Sequence, residues 1–311
     1  MLDLLLLIVS LFIVVKSAQF AVKYSSEIGR HFKITEYIIG FVVVAIISIL
    51  PEMFISIISA FQGTPEFGLA VLFGSNVADL TLIFAIVVLA SSHKGLKVQS
   101  KIIKENHFFL YFLALPIVLG LNGYYSRVDG LVLILAGIFF YSQLLKTDHK
   151  FLTANQEIRV PRSFKHVFCF VLSLGVLLFG SYFTVKFSTN LAQVLAVNPA
   201  FIGLLLVGLG TTMPELFFSL RASKVKHDDL ALGDILGTVI NDAVIVVGLI
   251  ALIHPFAFNP RIVYVTGIFM VLAGILLFRL MKTGRVISRK EGFILLMFYL
   301  VFIITEFFLS R

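Results

Sequence analysis

The chain has 311 residues, of which 59% are hydrophobic and only 14% are charged. A soluble domain needs more polar surface than this, so the composition excludes a soluble globular protein and predicts a polytopic membrane protein. The single cysteine, Cys169, excludes an internal disulfide and a thiolate metal cluster.

Apolar segments of about the 20 residues needed to cross a bilayer occur ten times. They lie at about 2–22, 36–60, 67–90, 107–121, 128–145, 167–188, 200–220, 231–253, 262–280 and 292–309. The fourth is short, and with its neighbour across Asn122-Gly123 it can also be interpreted as a hairpin. The prediction is an all-α polytopic membrane protein with ten transmembrane helices.

Basic residues are distributed unevenly among the loops between these spans. If the N-terminus is outside, the loops that follow odd-numbered spans carry 20 of the 25 Lys and Arg residues. Because basic residues are retained on the cytoplasmic side, both termini of this multi-pass cell-membrane protein are predicted to be extracytoplasmic. The net charge of +8 is thus a topology signal that also favours contact with anionic lipid, and it indicates no nucleic-acid partner.

The two halves of the chain match each other without a gap after a shift of 163 positions. The matched pairs include Pro51-Glu52 with Pro214-Glu215, Gly74 with Gly237, Ser75 with Thr238, and Asp79 with Asp242. This internal repeat predicts a five-helix copy at 1–145, a cytoplasmic linker at 146–165 and a second five-helix copy at 166–311. An odd number of spans inverts the second copy, an arrangement typical of secondary transporters with a substrate site near the midplane.

Four acids lie deep in predicted spans, namely Glu52, Asp79, Glu215 and Asp242. Each costs roughly 2.5–3.5 kcal/mol at a helix centre. The segments 34–60, 66–90, 197–220 and 230–252, which hold them, contain no Lys or Arg, although Lys16 in the first span could reach one acid. The acids are therefore expected to be protonated or to bind cations from solution, which favours cation transport.

Hydroxyl groups accompany these acids at the i,i+4 spacing that places two side chains on one helical face. The pairs are Ser48 with Glu52, Thr211 with Glu215, Ser75 with Asp79, and Thr238 with Asp242. Pro51 and Pro214 should also free backbone carbonyls about four residues upstream. Carbonyls, hydroxyls and carboxylates together make an all-oxygen site, which suits a hard cation such as calcium or sodium.

The motifs around these residues resemble those of the calcium/cation antiporter superfamily, most closely the sodium/calcium exchanger membrane region. They are "AIISILPEMFIS" with "LFGSNVADL" in the first copy, and "GLGTTMPELFFS" with "LGDILGTVIND" in the second. The resemblance implies exchange of sodium for calcium and, as calcium ligands, Glu52 and Glu215 at the centre with Ser48 and Thr211 beside them. It also implies that Ser75, Asp79, Thr238 and Asp242 complete the cluster and that Thr212 occupies a sodium-ligand position.

The sequence departs from the family pattern at several places, one of them Thr238-Val239, where the family has Ser-Asn. The first copy has Ile47-Ser48-Ile49 where the family has Gly-Thr-Ser, so one hydroxyl is lost. Asp79 stands where the exchangers more often have Asn, and Asp234 replaces the Asn of the second Gly-Asn motif. These departures keep open a proton/calcium exchanger of the same superfamily, in which protons are the counter-ion.

Two more remote alternatives remain, a passive cation channel and an intramembrane protease built on paired carboxylates. The favoured interpretation is an antiporter that is not an enzyme. It needs no cofactor, its partners are the transported ions and the bilayer, and no protein partner is implied.

Overall fold

The computed structural model describes residues 2–29, 45–91, 95–98, 108–147, 164–224, 226–284 and 286–309. The helices of the first half are α1 Leu2–Gly29, α2 Ala45–Ser48, α3 Leu50–Phe61, α4 Pro65–Ala78, α5 Phe84–Ala90, α6 Phe109–Leu119 and α7 Arg127–Thr147. Those of the second half are α8 Phe164–Val194, α9 Pro199–Ile202, α10 Gly208–Thr211, α11 Met213–Lys224, α12 Asp228–Ile240, α13 Val247–Ile253, α14 Ile268–Gly284 and α15 Arg289–Leu309.

Seven helical segments of the described chain are long and apolar enough to cross a membrane. They are Pro65–Ala90, Arg127–Leu144, Val171–Val194, Pro199–Lys224, Asp228–Ile253, Ile262–Lys282 and Arg289–Leu309, and α3 and α6 are shorter apolar helices. Helix α1 covers the predicted first span, and α6 forms the short fourth. Residues 36–44 of the predicted second span and 148–163 of the predicted linker lie outside the described residues. The chain is thus a mostly helical, multi-pass membrane protein.

A single non-helical residue separates α2 from α3, and another separates α10 from α11. Ile49 and Thr212 sit at these interruptions with similar backbone angles, φ −69° and ψ −5° for Ile49, and φ −75° and ψ 0° for Thr212. Proline follows within two residues, at Pro51 and Pro214, where its ring fits the first turn of a new helix. Because proline lacks an N–H, the carbonyls four residues earlier lose their usual donor, as the sequence predicts.

π-helical turns interrupt the long spans that carry the other acids. Asp79–Ile83 joins α4 to α5, and Asn241–Val246 joins α12 to α13; further turns lie at Gly203–Val207 and Ile262–Gly267. The wider turn leaves backbone groups poorly paired, and such turns occur frequently at functional sites.

Two of the spans form the centre of the protein. Pro65–Ala90 is 89% buried and Asp228–Ile253 is 83% buried, whereas the other spans are half-buried or less. A helix that is apolar on every side must be surrounded by other helices, which explains why these two lie at the core. Polar groups on them are consequently shielded from both water and lipid.

Helices α1 and α8 pack along each other as a pair at the edge of this core. Leu7 and Val14 of α1 meet Leu177 and Val185 of α8 in a small apolar cluster. The same cluster includes Ile55 of α3 and Phe67 and Val71 of α4. The pair is therefore in apolar contact with two first-half helices near the acids.

Short antiparallel ribbons, which the all-helical prediction did not include, link the two halves. Strand β1 (Gly95–Lys97) follows α5 and pairs with β4 (Val286–Ser288), which lies between α14 and α15. Strand β3 (Phe256–Ala257) follows α13 and pairs with β2 (Tyr124–Tyr125), which lies between α6 and α7. Each ribbon thus joins the end of a central span in one half to a hairpin of the other half.

Gly74 marks a close approach between the backbones of the two halves, and replacing it with alanine should destabilise the protein. A Cβ at this position would press on the carbonyl oxygen of Leu204 and lie 2.9 Å from its Cα, and both are backbone atoms of the other half. Overpacking of this kind costs about 1–3 kcal/mol. We expect Gly74→Ala to lower the thermal unfolding midpoint in detergent.

Gly175→Ala is the matched control, because a Cβ on this helical glycine would meet no atom within 4 Å. It should leave the midpoint unchanged or raise it slightly, since alanine favours helix. Equal midpoints for both variants would contradict the close packing at Gly74.

Candidate functional site

The two Pro-Glu motifs place their carboxylates directly after the helix interruptions. Glu52 lies in the first turn of α3 and Glu215 in the first turn of α11. Both side chains are fully buried. Ser48 is the last residue of α2 and Thr211 is the last residue of α10, each directly before an interruption. Both hydroxyl side chains are also buried.

The other two predicted acids occupy the π-helical turns of the central spans. Asp79 begins the turn after α4, and Asp242 is the second residue of the turn after α12. Ser75 and Thr238 lie one helical turn before them, as the i,i+4 spacing predicts. These four side chains are also buried.

The four acids have almost no hydrogen-bond partners within the described part of the chain. Both carboxylate oxygens of Glu52, Glu215 and Asp79 lack one, and so does Oδ1 of Asp242. The remaining oxygen, Asp242 Oδ2, accepts a hydrogen bond of 3.3 Å from Ser75 Oγ. A buried carboxylate without a partner is very costly, so this arrangement requires positive charge from elsewhere.

Electrostatic interactions link the four acids, which are together called the acidic cluster. The charge of Glu52 acts on Asp79, Glu215 and Asp242 alike. No three Asp, Glu, His or Cys side chains among the described residues are close enough together to hold a metal ion on their own. A cation in this cluster would therefore need hydroxyl and carbonyl ligands as well as carboxylates.

The neighbouring hydroxyl groups donate their hydrogens away from the acids in most cases. Thr211 lies beside Glu52 but donates to the Gly208 carbonyl at 3.1 Å, and Thr212 donates to the Leu209 carbonyl at 3.0 Å. Ser75 Oγ is also 3.0 Å from the Leu72 carbonyl. A hydroxyl that donates its hydrogen to a carbonyl keeps oxygen lone pairs that can face a cation.

Lys16 does not neutralise any of these acids. It lies on an exposed side of α1, donates to Gln19 Oε1 at 3.2 Å and sits over the ring of Phe12. An ion pair of the described residues lies elsewhere, between the partly exposed Arg261 and the buried Glu306 at 3.4 Å. The possibility that Lys16 pairs with one acid is therefore wrong.

The structure adds buried polar groups that the site prediction left out. Asp234 in α12 is fully buried and accepts hydrogen bonds from Ser48 and Ser219. Asn76 and Asn241 are adjacent in sequence to the predicted ligands Ser75 and Asp242, and Asn241 accepts a hydrogen bond from Tyr141. Comparison of the two copies could not find them, because a shift of 163 positions pairs each with an apolar residue.

An all-oxygen, acidic cluster in the core of a multi-pass helical protein defines a membrane transporter of cations. The family assignment agrees: the sequence profile described as sodium/calcium exchanger protein matches residues 2–144 and 165–308. The chain belongs to this family of membrane antiporters and is not an enzyme, which confirms the resemblance of its Pro-Glu motifs.

Curated relatives match along nearly the whole chain. The sodium/calcium exchanger MaX1 of Methanosarcina acetivorans is 25% identical, over 98% of this chain and 98% of the relative. The putative antiporter CaxA of Alkalimonas amylolytica is 29% identical, over 94% of this chain and 95% of the relative.

Solved structures of the sodium-calcium exchanger NCX_Mj share the fold. One of them superimposes with a TM-score of 0.71 and 24% sequence identity, and the match covers 97% of both chains. At this identity the likeness establishes the fold alone.

Neutralising either central glutamate should abolish calcium binding while the protein stays folded. Glu52→Gln and Glu215→Gln keep the side-chain shape and remove an unpaired buried charge, so the thermal unfolding midpoint should not fall. An interaction with a charged group contributes roughly 1.5–3 kcal/mol, so calcium affinity should fall at least about tenfold. Isothermal titration of purified protein measures it.

Glu66→Gln is the matched control, because Glu66 lies at the end of α4 away from Asp79 and is only half-buried. It should bind calcium as the unaltered protein does. Retained binding in both central variants would remove Glu52 and Glu215 from the site.

Proposed function

We propose that the protein is a secondary active antiporter that exchanges calcium for sodium by alternating access at the buried acidic cluster. The observation that carries this proposal is the set of four fully buried acids whose carboxylate oxygens, apart from one, lack a hydrogen bond in the described residues. One divalent ion or several monovalent ions can neutralise the same cluster. The two substrates therefore compete for it and cross the membrane in alternation.

Within this function, the site residues have distinct roles. Glu52 and Glu215 are the central calcium ligands, with the oxygens of Ser48 and Thr211 beside them. Thr212 provides a sodium-ligand hydroxyl. The cluster is completed by Ser75, Asp79, Thr238 and Asp242.

The proposed architecture is two inverted five-helix copies, 1–145 and 166–311, on either side of the linker 146–165. Matching element bounds support it: a shift of 163 converts Leu50–Phe61 into Met213–Lys224 and Phe84–Ala90 into Val247–Ile253. The ribbons support it too, because β1 and β4 take the places in their copies that β3 and β2 take in the opposite copies. In the cell membrane, this topology places both termini outside.

Obligatory exchange follows from the cost of an empty site. Several uncompensated charges would have to be occluded in a low-dielectric interior if no cation were bound, so only loaded states should cross. The α1/α8 pair is the moving element in this proposal. The extensive packing of α1 along α8 supports their movement as one unit over the apolar surface of α3 and α4.

A proton-coupled calcium exchanger is the second candidate, and Ile49 favours it. This residue occupies the first interruption, where the second copy has the hydroxyl of Thr212, and it is buried among apolar side chains. One sodium-ligand hydroxyl is therefore missing.

Imposed gradients separate the two candidates. Purified protein is reconstituted in vesicles, and uptake of radioactive calcium is measured with an outward sodium gradient or an outward proton gradient applied alone. We expect sodium to drive uptake and the proton gradient to add little. Uptake that follows pH and ignores sodium would overturn sodium coupling, and calcium current in symmetric, sodium-free solution would indicate a channel.

Restoring the missing hydroxyl should strengthen sodium dependence. Ile49→Ser provides an oxygen at the position equivalent to Thr212, so calcium uptake should respond to lower sodium concentrations. Ile49→Val is the control, because it keeps the apolar character and should leave the response unchanged. Uptake is normalised to folded protein, since removing a buried isoleucine costs stability. An identical sodium response in the two variants would make residue 49 a packing position only.

A further inference from the structure

Asp234 differs from the four acids of the cluster in how the protein holds it. It is fully buried, and each of its carboxylate oxygens has a hydroxyl neighbour. Ser48 Oγ donates to Oδ1 at 3.0 Å, and Ser219 Oγ donates to Oδ2 at 3.4 Å. Both oxygens are thus engaged by the protein, which makes Asp234 a poor candidate for a direct cation ligand.

The hydrogen bond to Ser48 connects the two halves of the chain at the first interruption. Ser48 is the last residue of α2, one position before Ile49, whereas Asp234 is in the middle of α12. The equivalent contact is missing in the other copy, because Val71 takes the position of Asp234. Thr211, the equivalent of Ser48, instead donates to the Gly208 carbonyl of its own helix.

The direction of this hydrogen bond determines what Ser48 can offer to an ion. A serine hydroxyl has a single hydrogen and two lone pairs. The hydrogen of Ser48 points to Asp234 Oδ1, which is the acceptor of this hydrogen bond. The lone pairs of Ser48 then face away from Asp234.

We propose that Asp234 is a positioning residue of the cation site, which fixes the hydroxyl of Ser48 so that its oxygen can coordinate calcium. This inference rests on the proposed function, in which Ser48 is an ion ligand. Asp234 contributes to the cation site through its hydrogen-bond acceptor and not through its charge.

A double-mutant cycle separates the acceptor from the charge. Asp234→Asn removes the charge but keeps an oxygen that accepts from Ser48, whereas Asp234→Val, the residue of the other copy, removes both. Each is made with Ser48 and with Ser48→Ala, and calcium affinity is measured by isothermal titration of purified protein. A lost hydrogen bond to a well-placed ligand corresponds to about tenfold in affinity.

With Ser48 present, we expect calcium affinity to be about tenfold weaker in Asp234→Val than in Asp234→Asn. With Ser48→Ala, the two variants at residue 234 should bind equally. Ser219→Ala removes the other hydroxyl neighbour and should retain the affinity of the unaltered protein. If Asp234→Val does not fold, Asp234→Ala takes its place in the same cycle.

A ratio between Asp234→Val and Asp234→Asn that is the same with and without the Ser48 hydroxyl would overturn the proposal. So would equal affinities of these two variants with Ser48 present. Because binding is measured without a counter-ion gradient, a proton-coupled wild type would refute sodium coupling and leave this test intact. Failure of the wild type to bind calcium would overturn both proposals.

Discussion

The structure depends on one electrostatic constraint, which is the burial of four carboxylates without a basic partner in the helices that carry them. A carboxylate at this depth is tolerated only when something neutralises it. Glu52 and Glu215 lie at helix interruptions, and Asp79 and Asp242 lie at π-helical turns. In the described residues all but one of their oxygens lack a hydrogen-bond partner, so protons or cations from solution must neutralise them.

The irregular backbone serves the same constraint. A regular helix satisfies every carbonyl within itself and has no oxygen to offer an ion. The interruptions at Ile49 and Thr212, each followed by a proline, free carbonyls beside the glutamates. The central spans then shield these groups, because helices surround them on all sides. Local irregularity and global burial together produce a polar cluster in an apolar protein.

The buried acids and the helix interruptions could be predicted from the sequence, because the internal repeat contains the central residues twice. Pro51-Glu52 and Pro214-Glu215 indicate both the interruptions and the acids. The interruptions lie near the prolines because proline lacks an N–H and fits the first turn of a helix. The π-helical turns could not be predicted, because α-helical and π-helical turns use the same residues. The two ribbons were missed for a different reason: strands of two or three residues have no periodicity to detect.

Asp234 shows where comparison of the copies fails. The shift of 163 positions pairs Asp234 with Val71, so the repeat does not mark it as a site residue. Only its hydrogen bond with Ser48 shows that it lies beside the site. Lys16 shows the reverse failure, since its position in a span suggested a partner for an acid, but it lies on an exposed side of α1. Side-chain direction, which depends on tertiary packing, decides both cases.

The position of a bound calcium ion shows whether the buried carboxylates form a cation site. A crystal structure of the protein grown with calcium, with data collected at a long wavelength, reveals the ion by its anomalous scattering. If Glu52 and Glu215 hold the ion, one calcium peak lies in the core, with their carboxylate oxygens at about 2.3–2.6 Å. A calcium-saturated protein whose core holds no peak, with its calcium at the surface instead, would contradict this assignment.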